Sequence, residues 1–199
     1  MSVADIAAIV SLVAGGVTAT LIVILHVAEP QYDPSWRMIS EYSLARHGWL
    51  MRIAFVAMAI ASAATCVALW PFAGGWTIGL ALVAVGALGA SFVDADPITT
   101  SRAAATPMGK AHSVLGSILL IGSPIAATAA GIGAAGAFGW TLTLASVVPW
   151  VTLIWFLSVA ATAHGKPGSP QIRVGWPDRA CVVADLAWVA LAAALVLAS

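Results

Sequence analysis

Six long apolar runs with almost no charge inside them decide what this chain can become. They span approximately Ile6–Ala28, Trp49–Trp70, Trp76–Ala95, Gly109–Ala130, Phe138–Ala163 and Arg179–Ala198. A helix that crosses a bilayer takes about 20 predominantly apolar residues, a length these runs supply. Hydrophobic residues make up 61% of the 199-residue chain and charged residues only 8%, too few to coat a water-facing surface. The expected fold is all-α: one domain, residues 1–199, forming a polytopic six-transmembrane-helix bundle with an interfacial helix after span one. The first run has neither a basic leader nor a clear small-residue cleavage site, so it reads as a retained helix.

The polar residues fall between the runs in a biased way. All eight basic residues (Arg37, Arg46, Arg52, Arg102, Lys110, Lys166, Arg173 and Arg179) lie in or beside the first, third and fifth connections. The positive-inside rule then predicts a membrane protein with these connections cytoplasmic and both termini outside. Every acid except Asp5 and every histidine lies at or near the same side. Acids contribute little to topology, so their clustering points to a polar site opening there. Zero net charge offers no argument for a nucleic-acid partner. Membrane lipids and a lipid-like or prenylated small molecule are the expected partners.

The densest polar stretch is His26–Gly48. Asp33 followed by Pro34 is a good helix start, Asp as N-cap and Pro at the first helical position. A helix from about Pro34 to Arg46 would place Glu41 one turn beyond Arg37, held at the interface by Trp36 and Tyr42, or folded back so that Glu41 faces a cavity. Short Gly-rich turns join spans two to three and four to five. Gly75-x-x-x-Gly79, Gly86-x-x-x-Ala90 and Gly122-x-x-x-Ala126 have the spacing of close helix packing in lipid. Pro124 and Pro149 should kink spans four and five. Cys66 and Cys181 read as unpaired, small buried residues.

Four ordered motifs carry a family resemblance. Tyr32-Asp33-Pro34 with Ile39-Ser40-Glu41, Phe92-Val93-Asp94-Ala95-Asp96-Pro97, Gly109-Lys110-Ala111-His112, and Gly175-Trp176-Pro177-Asp178-Arg179 before Trp188 occur in that order. Together they resemble a family of bacterial six-span membrane proteins catalogued as domain of unknown function 998. The resemblance implies six spans and a shared polar core, and brings no assigned activity. Tyr42-Ser43 stands where the family often has Leu-Gly, and Asp185 lies outside every motif.

Asp185 sits about two turns inside the sixth span, on a face with Cys181, Trp188 and Val189. A lone carboxylate there is costly, so it is expected to be protonated, or paired with Arg179 or Arg52. Asp94 and Asp96 end the third span, and a short hairpin would let Asp94 pair with His112. His26 and His164 end spans one and five and read as interfacial. No Ser-His-Asp order, zinc-binding His-Glu-x-x-His or phosphate loop is present. No metal or cofactor is expected.

Carboxylic acids in apolar surroundings can stay protonated, and indole faces stabilise cations. That combination suits a metal-independent acid–base enzyme acting on an isoprenoid or other lipid from the cytoplasmic side, most sharply a proton-initiated terpene cyclase. Asp185 or Asp94 would be the acid, Glu41 its partner or terminal base, with Asp96 and His112 as further candidates. Tyr32, Trp36, Ser40, Tyr42, Phe92, Trp155 and Trp188 would contact substrate, and Asp33, Arg37 and Arg179 would serve structural or electrostatic roles. Two alternatives remain: a lipid amide or ester hydrolase built on Asp94, Asp96 and His112 with Ser40 or a metal, and a non-enzymatic proton-coupled carrier or accessory subunit.

Overall fold

The computed structural model describes residues 1–163 and 167–199, and contains no strand among them. Seven α-helices follow in order: α1 (Val3–Ala28), α2 (Gly48–Ala73), α3 (Ile78–Ala90), α4 (Pro107–Gly133), α5 (Gly136–Ala145), α6 (Val147–Thr162) and α7 (Gly175–Leu197). Among the described residues, five helical segments are long and apolar enough to cross a membrane: α1, the 43-residue run Gly48–Ala90, α4, Gly136–Thr162 and α7. Their outward faces expose Val13, Val23, Ile60, Leu82, Ile125 and Ile154. Trp49 and Trp176 stand exposed where α2 and α7 begin, and Trp70, Trp76 and Trp140 at the opposite ends. Indoles in two belts flanking an apolar band are the usual arrangement at membrane–water boundaries.

Small residues set the closest helix approach. A Cβ on Gly79 would meet Ala126 Cβ at 2.9 Å, one on Gly86 would meet Ile118 and the Leu115 carbonyl at 2.9 Å, and one on Gly122 would meet Val83 at 3.2 Å. The spacing read from the sequence is therefore the α3–α4 seam. Hydroxyls and indoles add pins between helices: Ser11 to Thr65 at 2.7 Å, Trp150 Nε1 to Thr128 Oγ1 at 3.0 Å, and Trp188 Nε1 to the Leu142 carbonyl at 3.0 Å. Inside lipid such bonds contribute about 0.6 kcal/mol each.

Pro149 explains why α5 and α6 are two helices. It supplies no N–H, and its ring clashes with the carbonyl four residues back, at Ala145, where α5 ends. α4 continues as helix through Pro124. Asp5, the acid apart from the others, closes a capping box with Ser2 at the start of α1.

The helix expected from Pro34 to Arg46 does not form. Its place is taken by turns and a six-residue 3-10 helix, Ile39–Leu44. The reason lies in where its backbone donors go. Asp33 Oδ1 accepts the Ser35 N–H at 2.8 Å, Glu41 Oε2 the Met38 N–H at 3.0 Å, and Glu29 Oε1 the His47 N–H at 2.8 Å. Asp178 Oδ2, from the far end of the chain, accepts the Ile39 N–H at 2.7 Å. With carboxylates satisfying these groups, a helical ladder has no claim on them.

The three polar connections interlock at one end of the bundle. Ile98 donates its N–H to Glu41 Oε1 at 2.9 Å, Gly168 donates to the Ile98 carbonyl at 2.7 Å, and Gly175 donates to the Ser35 carbonyl at 3.3 Å. At Gly175 a Cβ would strike the carbonyls of Pro34 and Arg37 at 2.4 and 2.7 Å, so only glycine permits this approach. The result is a polar lid over the helices. His164 and Lys166 lie outside the described residues.

Candidate functional site

Under the lid lies a cavity of about 800 Å³, bounded by α2, α4, α6, α7 and the first and third connections. That size falls within the range of small-molecule sites. Its walls are mostly apolar (Met51, Phe55, Leu120, Phe156 and Val182 among them), while Glu41, Asp96, His112 and Asp178 supply polar groups. Met58 and Leu119 also bound a second void of about 20 Å³, on whose wall Asp185 sits. The two spaces therefore share a partition.

Glu41 is 1% exposed and fully engaged. Arg37 Nη1 donates to Oε1 at 2.6 Å, beside the bonds from the Ile98 and Met38 N–H groups. The Arg37–Glu41 pair read from the sequence forms without the helix that suggested it. Arg37 also lies over the Trp36 ring, 4.5 Å from its centroid, and near Tyr32 at 5.5 Å. Its buried Nε has no partner among the described residues.

His112, 6% exposed, packs edge-on to Phe55 with ring centroids 5.8 Å apart. Its Nδ1 lies 2.9 Å from the Val93 carbonyl. A carbonyl only accepts, so the proton belongs on Nδ1, and in that tautomer of an imidazole Nε2 is the acceptor. No described residue bonds Nε2. The hairpin thus delivers His112 to a backbone carbonyl beside Asp94, whereas Asp94 itself bonds Arg52 Nη2 at 2.7 Å with its side chain 42% exposed. Asp94 does not line the cavity, and the expected Asp94–His112 pair is absent.

Asp96 borders the cavity but acts as a clasp, its oxygens accepting the Thr106 N–H and hydroxyl at 2.8 Å each. A Cβ on Gly109 would overlap that carboxylate at 2.1 Å, which explains the glycine opening the Gly-Lys-Ala-His motif. Neither Arg179 nor Arg52 reaches Asp185. Asp185 shares the wall of the smaller void with Ser123, whose hydroxyl donates to the Leu119 carbonyl at 2.8 Å.

Arg179 is buried and committed to the lid. Its Nε donates to His26 Nε2 at 2.7 Å, and its Nη1 to the carbonyls of Arg37 and Gly175 at 2.7 and 3.0 Å. Its guanidinium also neighbours Tyr42, which is fully buried against His26 and Tyr32. Trp188 lines the smaller void. Trp155 and Phe92 are exposed, and the aromatic rings on the large cavity are Phe55, Phe156 and His112. The expected indole wall is not there, because most tryptophans sit on the outside of the bundle. Of the expected contacts, Ser40 does line the cavity.

Two buried acids escaped the sequence reading. Asp178 is 4% exposed and lines the cavity, with Oδ2 held by the Ile39 N–H and no partner on Oδ1 among the described residues. It lay within a motif already noted, so the signal was available. Glu29 is buried where α1 ends and takes Gln31 Nε2 at 2.6 Å and His47 Nδ1 at 2.7 Å. Burial pushes its carboxyl up, but the bonds from His47 and Gln31 outweigh that and hold it below the usual 4.5. A lowered value stabilises the fold above the unfolded pKa, and this contribution disappears as pH falls through the folded one. Thermal stability is expected to drop on acidification below 4.5, and Glu29→Gln to flatten that part of the pH profile.

Set against known proteins, residues 12–195 match the family described as "Protein of unknown function (DUF998)". No curated protein and no solved structure matches the chain.

Proposed function

We propose that the chain, which belongs to the DUF998 family, is an intramembrane acid–base enzyme acting on a lipid-like, isoprenoid-type substrate. The observation that carries this reading is the pairing of two unfinished polar groups on one apolar cavity. His112 offers Nε2 from α4, and Asp178 offers Oδ1 from α7. Each is held by its other atom, which fixes its direction before substrate arrives.

The chemistry is a proton added at one carbon and removed at another. Asp178, protonated on Oδ1, donates to an alkene, and the resulting carboxylate keeps the Ile39 N–H as a stabilising donor. The carbocation rearranges or closes a ring beside Phe55 and Phe156. His112 Nε2 then takes a proton from a neighbouring carbon, its imidazolium stabilised by the Val93 carbonyl. The product is an isomer of the substrate, and the proton returns from His112 to Asp178 through water at the lid. Asp185, behind Met58 and Leu119, is the second candidate donor, reached if a long chain displaces that partition.

The hydrolase reading has less support, since Asp94 bonds Arg52 and does not line the cavity while both oxygens of Asp96 bond Thr106. The topology proposed is six spans. At about 1.5 Å per residue, the 43-residue run Gly48–Ala90 is about twice the thickness of a bilayer core. It turns at Gly74, where φ is +51°, and α3 packs back on α2. The seven described basic residues share the lid end, which supports a plasma-membrane orientation with the lid cytoplasmic and both termini outside.

The test is reaction of the reconstituted protein with farnesyl and geranylgeranyl alcohols, acids and phosphates in deuterated buffer. An isomeric product carrying one solvent deuterium is expected. Failure to convert any of these substrates would overturn the isoprenoid assignment, and a product without deuterium would overturn proton initiation.

A further inference from the structure

The cavity carries an imbalance of charge that names the head of its ligand. Its three acids are bonded from within: Glu41 by Arg37 and two backbone N–H groups, Asp96 by Thr106, and Asp178 by Ile39 on Oδ2, its other oxygen carrying the proton in the proposed reaction. Its two basic residues, Arg102 and Lys110, are exposed, and their side chains have no hydrogen-bond or ion-pair partner among the described residues. Among the described residues, the uncommitted full charges facing the space are therefore positive. A cationic head would find no free carboxylate there.

We infer that the ligand is a single-headed amphiphile with an anionic phosphate or carboxylate group, its head held by Arg102 and Lys110 and its chain lying along α4 toward Met58 and Leu119. This rests on the proposed lipid-like substrate and adds to it the head's charge and the chain's direction. From Lys110 to Leu119 the helix rises about 14 Å, a depth that suits a chain of farnesyl size. Arginine and lysine are the usual donors to phosphate oxygens, and charge-assisted bonds are the stronger ones. The head stays outside the reaction: no bond to it forms or breaks, and the alkene is delivered to the acids below.

Binding to the full-length protein in detergent, measured by isothermal calorimetry, tests this with three probes: farnesyl phosphate, farnesol and inorganic phosphate. Farnesyl phosphate is expected to bind about tenfold or more tightly than farnesol. The double variant Arg102→Gln/Lys110→Gln, changed at exposed positions, is expected to erase that difference while leaving farnesol binding unchanged. Inorganic phosphate alone is expected to bind weakly. Equal binding of farnesyl phosphate and farnesol would overturn the anionic head and leave the lipid cavity standing. Binding of neither would overturn both readings. Inorganic phosphate binding as tightly as farnesyl phosphate would replace the amphiphile with a free anion.

Discussion

Asp178→Asn is expected to lower turnover by about 10²–10⁴-fold, the usual contribution of a positioned general acid. The substitution separates chemistry from structure. An asparagine side-chain oxygen can still accept the Ile39 N–H that Asp178 holds at 2.7 Å, so the lid keeps its anchor. What disappears is the acidic proton. His112→Gln is expected to cost a similar factor, and the double variant little more than either single one, because a donor and an acceptor acting on one substrate are strongly non-additive. Expression and thermal midpoint should stay near those of the parent. If Asp178→Asn keeps activity within about threefold while Asp185→Asn abolishes it, the acid is the residue behind the partition. Full activity in both would remove carboxylic acid catalysis from this site.

Arg179→Ala is expected to be the most damaging change to stability. Arg179 is 6% exposed, so solvent screening does not discount its bonds to His26, Arg37 and Gly175. Truncation leaves three buried acceptors unsatisfied at about 1–3 kcal/mol each, giving a loss of roughly 3 kcal/mol or more. The lid should open first, seen as faster hydrogen exchange across 29–47 than in α1 or α4. Arg179→Lys should rescue only part of the loss, since one ammonium cannot reproduce a planar fork that reaches several acceptors. An unchanged thermal midpoint together with unchanged exchange in the lid would show that Arg179 is not the latch.

The long apolar helices, the small-residue seam and the family were legible because each depends on local pattern. Apolar length is a property of a run, and Gly79, Gly86 and Gly122 mark an interface by what they lack. The lid was read less well. Asp33-Pro34 and the Arg37–Glu41 spacing both speak for helix, and that inference fails because the competing acceptors come from elsewhere in the chain, above all Asp178, 139 residues away from Ile39. The same long-range traffic misassigned the acids. Asp185 attracted attention by its depth and Asp94 by its place at a span end, yet depth and position do not reveal which carboxyl oxygens are already spoken for. Asp178 looked like the fourth letter of a motif until its free oxygen was seen on the cavity wall. The tryptophans misled by number, since nine indoles suggest a wall whereas most are boundary anchors.

The break in the fifth apolar segment has a mechanical consequence. Pro149 separates α6 from α5, and α6 buries only Pro149 and Leu153 while giving the cavity Phe156. Swinging the segment beyond Pro149 outward would expose little core, so its displacement costs far less than moving α2, α4 or α7. At Gly116, across the cavity on α4, a Cβ would meet nothing within 4 Å. The bundle thus has a stiff side and a compliant one, and the compliant side faces hydrocarbon. On the lipid-substrate reading proposed above, a substrate dissolved in the bilayer would press in sideways there without its chain being wetted.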